Sequence, residues 1–324
     1  MSAEKHAMTP RPLTMSTLDW LTLAALSILW GGSFFLNKLA VSEVPPLTVA
    51  LGRVAVAAVV LIAIAWMRDE LRPLRVAWPV FLTLGLINSA VPFTLIAWGQ
   101  TQIASGLASI LNATTPLFAV VIANATTTDD KLTLGRAVGL GCGLIGVVVM
   151  IGPGALDGLS LHVAGEIACL IAAALYATGT VYARRFRKFA PNTLGAGQTG
   201  AATLLLLAPV AFVDQPWTHA LPSLRAIIVL VGLGAFSTAL AYILYFRLLA
   251  RAGATNTSLV TFLIPVSAIL LGVLALGERL EPHQLAGMMA IALGLVAIDG
   301  RAEHAFTHWR RQRKKERSNE ATRT

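Results

Sequence analysis

Residues 116–146 read PLFAVVIANATTTDDKLTLGRAVGLGCGLIG, and residues 265–294 read PVSAILLGVLALGERLEPHQLAGMMAIALG. Each starts with a proline inside an apolar run. Each then passes an acid, a cation and a leucine: Asp130-Lys131-Leu132 and Glu278-Arg279-Leu280. Each ends in a second apolar run, where Gly139 and Gly146 meet Gly287 and Gly294. The prolines are offset by 149 residues and the later matches by 148. At offset 146, Trp30-Gly31-Gly32-Ser33 meets Tyr176-Ala177-Thr178-Gly179, and Pro45 meets Pro191. One or two single-residue gaps reconcile these offsets. The order and near-constant spacing of the matches mark an internal repeat.

The composition says where such a chain folds. The 324 residues are 56% hydrophobic and only 13% charged, with mean hydropathy +0.72. A soluble domain carries about 25% charged residues. So little charge cannot cover this much apolar surface in water, and disorder needs the opposite composition. The chain is therefore expected to be an all-α, polytopic membrane protein. Crossing the hydrocarbon core takes about 20 apolar residues. Ten runs qualify: 18–37, 47–67, 76–98, 103–124, 133–151, 161–182, 194–213, 223–246, 254–277 and 283–299. They are continuous rather than alternating, which argues against strands. The polar start and long first run do not read as a cleavable signal peptide.

Charge placement sets the expected orientation. With the N-terminus in the cytoplasm, 21 of the 25 Lys and Arg fall on the cytoplasmic side. Only Lys38, Arg225 and Arg279 fall in outer loops, and Arg53 lies inside the second run. This bias predicts both termini inside. The net charge of +9 is then a topology label, not a nucleic-acid footprint. The basic tail Trp309-Arg310-Arg311-Gln312-Arg313-Lys314-Lys315 is expected to meet anionic membrane lipid.

Each half holds five spans, an odd number, so the second copy enters the membrane from the opposite side. The expected layout is a tail over 1–17, repeats over 18–152 and 160–299, and a basic tail over 300–324. Inverted repeats are characteristic of transporters, with a substrate site near the midplane at the repeat interface.

At this point the sequence resembles a known family. Trp30-Gly31-Gly32-Ser33-Phe34-Phe35 is similar to the first-span signature of EamA-type members of the drug/metabolite transporter superfamily. Leu51-Gly52-Arg53 matches their second-span arginine. Pro116 and Pro265, each followed by an acid and glycines, resemble the fourth-to-fifth-span signature of both repeats. The resemblance covers about residues 18–299. It implies ten helices in two inverted repeats around a central cavity, and export or exchange of small metabolites, amino acids among them. The second repeat departs from the pattern, with Tyr176 for the tryptophan and Thr199 for the arginine.

Polar groups inside a membrane are costly and need a reason. Arg53 reads either as an anchor or gate for a substrate carboxylate, or as an arginine that snorkels outward. No Asp or Glu falls near the centre of a run, which points away from a buried titrating acid. Glu166, at the outer start of the sixth run, is the best exception for proton coupling, beside its reading as an interfacial cap. The remaining cavity candidates are neutral: Ser33, Asn37, Asn88, Asn112, Thr115 and Gln198, with the aromatic Trp30, Trp98, Tyr176, Tyr242 and Tyr245. Pro92, Pro116 and Pro265 are expected to kink their helices and free carbonyls for nearby hydroxyls. Such a lining suits amino acids or related small molecules; drugs and sugars stay open, as does a non-transporting scaffold or sensor.

No cofactor is expected. Cys142 and Cys169 fall within spans, so neither a disulfide nor a metal site is expected. Gly141-Cys142-Gly143-Leu144-Ile145-Gly146 matches a dinucleotide fingerprint, but it sits within an apolar helix instead of after a strand. No HExxH, GxSxG or paired intramembrane aspartates occur, so an enzyme is not expected.

Overall fold

The computed structural model describes residues 15–126, 133–152, 160–186 and 188–299. Asp130, Lys131 and both tails lie outside the described residues. Ten long helices follow in order. They are α1 (Thr17–Val41), α2 (Pro46–Met67), α3 (Trp78–Gln102), α4 (Ser105–Thr126), α5 (Leu134–Ile151), α6 (Leu161–Ala183), α7 (Pro191–Asp214), α8 (Leu224–Gly253), α9 (Val260–Leu276) and α10 (Pro282–Asp299). Eight segments are long and apolar enough to cross a membrane; α9 and Pro282–Ile298 of α10 are shorter. No strand occurs among the described residues. The end at which α1 starts is called the N side below, and the other the far side.

The starts of these helices are written locally. Ser16 caps α1 in a capping box with Asp19. Ser160 caps α6 and Ser223 caps α8. Proline takes the first helical position of α2, α7 and α10. There its missing N–H is one of the donors that a helix start leaves free.

Some boundaries differ from the hydropathy reading. α1 runs four residues past 37, so Lys38 is in its last turn and not in a loop. Its ammonium donates to the carbonyls of Gln100 (2.6 Å) and Ile103 (2.9 Å), at the end of α3. A cation there satisfies orphan carbonyls and the negative end of the helix dipole. α3 reaches Gln102, leaving two residues before α4, where the hydropathy runs leave 99–102 between them. Gln100 is tolerated inside because both ends of its amide are bonded, donating to the Phe34 carbonyl (2.9 Å) and accepting from Asn37 (2.5 Å). α8 carries Arg247 and Arg251 in its last turns. Arg251 pairs with Asp19 at 3.1 Å.

The two halves pack as inverted copies. α5 lies along α10, and α2 along α7. α1 with α9 mirrors α6 with α4. The glycines that match in sequence cross over in space. A Cβ on Gly139 would lie 2.6 Å from the Gly294 carbonyl oxygen, and one on Gly146 would lie 2.8 Å from that of Gly287. This exchange is what a pseudo-two-fold axis does. Water does not drive helices together inside lipid, so close backbone approach at small residues matters here.

The same symmetry governs two helix starts. At the far side, the Asp214 carboxylate ending α7 accepts from the Thr48 N–H (2.7 Å) and hydroxyl (2.8 Å) at the start of α2. At the N side, Glu70, just past α2, meets the start of α7. Its carboxylate accepts from Asn192 (3.1 Å) and its carbonyl from the Thr193 hydroxyl (3.0 Å). A carboxylate at a helix N-terminus is favoured by the free donors and the dipole.

Candidate functional site

Two of the three π-turns among the described residues are bulges at matching places in the two repeats. α3 opens into a π-turn at Leu86–Ala90, and α8 into one at Ala235–Leu240. Pro92 follows the first turn, and its missing N–H leaves the Asn88 carbonyl without its helical partner. α8 has no proline there, so proline is not the common cause. Both bulges follow a glycine pressed on the opposite repeat. A Cβ on Gly85 would lie 2.8 Å from the Gln198 carbonyl oxygen, and one on Gly234 the same distance from that of Arg53. π-bulges recur at functional sites.

Each bulge holds a polar residue of the facing helix. Arg53, 7% exposed, lies about 10 Å along α2 from Pro46 at 1.5 Å per residue. Its Nε donates to the Thr238 hydroxyl at 2.9 Å. Thr238 in turn donates to the Leu233 carbonyl, five residues back, at 2.9 Å. In the other half, Asn88 donates to Gln198 at 3.1 Å. Arg53–Thr238 and Gln198–Asn88 are thus equivalent contacts, one charged and one neutral.

The charged contact is only partly satisfied. The Arg53 guanidinium carbon lies 3.9 Å from the centre of the Phe93 ring. Tyr176 and Tyr242 are close enough to sense its charge, and Tyr176 meets Phe93 edge-on at 6.2 Å. Buried Ser89 stands beside the Tyr242 phenol. Among the described residues, no acid pairs with Arg53, and its two terminal nitrogens make no hydrogen bond. Instead of snorkelling to an interface, the side chain folds onto an aromatic ring. Phe93 and Thr238 were not singled out in the sequence. The matched Gly85 and Gly234 are the signal that locates this layer.

The other candidates divide. Trp30 packs on Tyr245, with ring centres 5.4 Å apart, in a half-buried cluster. Asn37 is used up by Gln100. The Ser33 hydroxyl returns to the Trp30 carbonyl (2.7 Å), and the Thr115 hydroxyl to the Asn112 carbonyl (2.7 Å). Asn112 keeps a buried Oδ1 without a partner among the described residues. Trp98 is 37% exposed and, like Thr101, lies on an exposed part of α3. Near Pro116, α4 breaks at 113–114, where the Thr114 hydroxyl covers the Leu111 carbonyl (2.6 Å). α9 runs through Pro265 unbroken. There the Ser27 hydroxyl donates to the Leu263 carbonyl (2.8 Å), and Gly31 gives α1 room, since a Cβ on it would lie 2.8 Å from the Ile264 carbonyl oxygen.

Glu166 is not an interfacial cap. Ser160 caps α6, and Glu166 is 1% exposed. Its Oε1 lies 3.8 Å from His162 Nδ1, while its buried Oε2 has no partner among the described residues. The helices packed on this part of α6, α3 and α4, carry no ionisable side chain.

Comparison with known proteins agrees with this architecture. The chain is 29% identical to an inner membrane transporter of Escherichia coli K12, YedA, over 278 residues, covering 85% of this chain and 89% of the relative. It is 24% identical to the transporter YoaV of Bacillus subtilis, covering 85% and 94%. A WAT1-related chloroplastic protein of Arabidopsis thaliana is 28% identical, covering 87% and 68%. A solved crystal structure superposes with a TM-score of 0.63 at 20% identity, over 88% of this chain and 98% of the other, which is a likeness of fold. The sequence pattern of the EamA-like transporter family matches residues 18–152 and 163–298, one match per half. The chain belongs to the EamA-like transporter family, within the drug/metabolite transporters.

Proposed function

We propose that this membrane transporter exports or exchanges small metabolites that bear a carboxylate, with amino acids the best-matched class. The observation that carries this reading is Arg53, a buried guanidinium with free terminal nitrogens, stacked on Phe93 and flanked by Tyr176 and Tyr242. Guanidinium recognises carboxylate through two parallel hydrogen bonds. The aromatic walls accept an apolar or aromatic side chain, and Asn88, Gln198 and Ser89 supply neutral hydrogen bonds nearby. The two inverted halves supply the mechanism: rocking of one against the other opens this layer to alternate sides. The cation bias supports a cytoplasmic N side, and the inner-membrane relative YedA supports a plasma (inner) membrane location.

Efflux of labelled amino acids from proteoliposomes tests the reading. A panel with aromatic and small neutral members should show protein-dependent flux, competed by other carboxylates. Absence of flux across the panel, with drugs or sugars moving instead, would overturn it.

A second reading concerns energy coupling, and the burial of Glu166 favours it. An acid inside a span with one unpartnered oxygen is the kind of group that carries protons through pumps and transporters. His162, half exposed at the far side, gives it a route to solvent. An imposed pH gradient should then accelerate efflux in the wild type and not in Glu166→Gln. Equal acceleration in both proteins rules Glu166 out.

A further inference from the structure

Two of the helices around Arg53, α2 and α8, frame a second space together with α7. At the N side, a cavity of about 430 Å³ opens between the end of α2, the start of α7 and the last turns of α8. Its apolar wall includes Ile64 and Phe246, and its charged lining includes Arg68, Glu70 and Arg247. Arg68 and Arg247 are exposed and have no ion pair or hydrogen bond among the described residues. Glu70 uses one oxygen on Asn192. The cavity thus holds two uncommitted cations and one acid.

Along α2, Leu61 lies between Ile64 of this cavity and Arg53. Leu61 is 1% exposed, and its Cδ1 would lie 3.2 Å from a Cβ on Gly195 of α7. The ring of Tyr242 reaches the same spot, at 3.6 Å. The missing side chain of Gly195 is the seat in which these two groups meet. Beyond it, the phenol of Tyr242 lies near Ser89 and within range of the Arg53 charge. On the cavity side, Ile64 follows Leu61 by three residues and Phe246 follows Tyr242 by four, so each pair shares one helix face. Arg53 and Arg68 are 15 residues apart, about 22 Å along α2.

We propose that this cavity is a loading subsite for the same substrate, where Arg68 and Arg247 gather its carboxylate before it reaches Arg53, and that Leu61 and Tyr242 over Gly195 form the barrier between the two positions. This rests on the reading that Arg53 holds a substrate carboxylate. Cations at a cavity mouth raise the local concentration of an anion, and salt screens that effect. Glu70 gives the ammonium group of an amino acid a counter-charge, so a zwitterion fits this lining better than a simple anion does. In the opposite direction, the same arginines would hold the released substrate.

The test measures initial transport of the labelled amino acid that moves best, presented to the N side in proteoliposomes at low and high salt. In the double variant Arg68→Gln with Arg247→Gln, KM should rise about tenfold at low salt, kcat should stay within about twofold, and the salt dependence of KM should flatten. KM for substrate presented from the far side should not change. Gly195→Ala, checked for monodisperse elution, should slow flux while far-side binding is kept. The two surface substitutions keep the test decisive if Gly195→Ala fails to fold. An active wild type with unchanged KM and unchanged salt dependence in the double variant overturns the subsite. A defect seen only in vesicles with anionic phospholipid also overturns it, by assigning the arginines to headgroups. A wild type that moves no carboxylate, or one that Arg53→Met does not impair, instead defeats the reading on which the subsite rests.

Discussion

Arg53 of α2 gives its Nε proton to the Thr238 hydroxyl in the bulge of α8, and nothing among the described residues takes its other four. A buried charge left this way destabilises the fold, and its retention needs a use. Arg53→Met should therefore leave the melting temperature in detergent unchanged or raised, while lowering kcat/KM for the carboxylate substrate. One lost charge-assisted hydrogen bond contributes about 1.5–3 kcal/mol, which corresponds to about 10–150-fold. Arg53→Lys should recover only part of this, because an ammonium cannot reproduce the two-pronged contact. Lower stability together with lower activity would make Arg53 a structural residue.

The α5–α10 contact predicts a sharp contrast between glycines. A Cβ on Gly287 would lie 2.6 Å from the Gly146 carbonyl oxygen, and one on Gly141 meets nothing within 4 Å. Gly287→Ala should destabilise by about 1–3 kcal/mol through forced separation of the two helices. Gly141→Ala should be neutral or gain up to about 1 kcal/mol in helix propensity. Thermal melts of the two variants in one detergent settle the comparison.

Glu278 should act as a far-side clasp. Gly277 ends α9 at φ +66, which turns the next carboxylate back toward α4. Glu278 then accepts from the Ser105 N–H (2.8 Å), the Ser105 hydroxyl (2.8 Å) and the Gly106 N–H (3.1 Å). Glu278→Ala should lower stability by about 1–2 kcal/mol, the usual range for losing a helix cap. Glu278→Gln should fall between, since it keeps an acceptor and loses the charge. Hydrogen exchange at Ser105 and Gly106 should rise in the same order.

Asp214 and Glu70 should bias the transporter in opposite directions. Asp214 ties α2 and α7 at the far side, and Glu70 ties them at the N side. Asp214→Asn should favour far-side opening, and Glu70→Gln should favour N-side opening. Loss of about 1 kcal/mol at one tie shifts the population about fivefold. Labelling rates of single cysteines near each end, with Cys142 and Cys169 replaced, would report the shift. Shifts of the same sign in both variants would refute it.

Much of the architecture was legible because it is written in hydropathy and in repeated prolines and glycines. The crossing of Gly139 and Gly146 onto Gly294 and Gly287 follows from five spans per half, once the offset is seen. The bulges were not legible, because a change from four-residue to five-residue hydrogen bonding leaves no mark on an apolar run. Glu278 was visible as part of the repeat but not as a clasp, since its partner Ser105 is 173 residues away. Trp98 and Gln100 are two positions apart and nearly interchange their expected roles. The aromatic faces outward and the amide is buried against Asn37, because the turn of α3 after the bulge decides which face each side chain takes. Arg53 was visible as an anomaly, but its neighbours Phe93 and Thr238 become neighbours only on folding.

The crossed glycine pairs bear on how such a chain could arise. A surface on which Gly139 meets the counterpart of Gly146, and Gly146 the counterpart of Gly139, is complementary to its own inverted image. A lone five-helix unit with that surface needs no foreign partner, only a second copy inserted upside down in the same membrane. Fusing two such genes preserves the contact without inventing it. Afterwards the copies can diverge even at this seam, and one keeps an arginine where the other keeps Gln198.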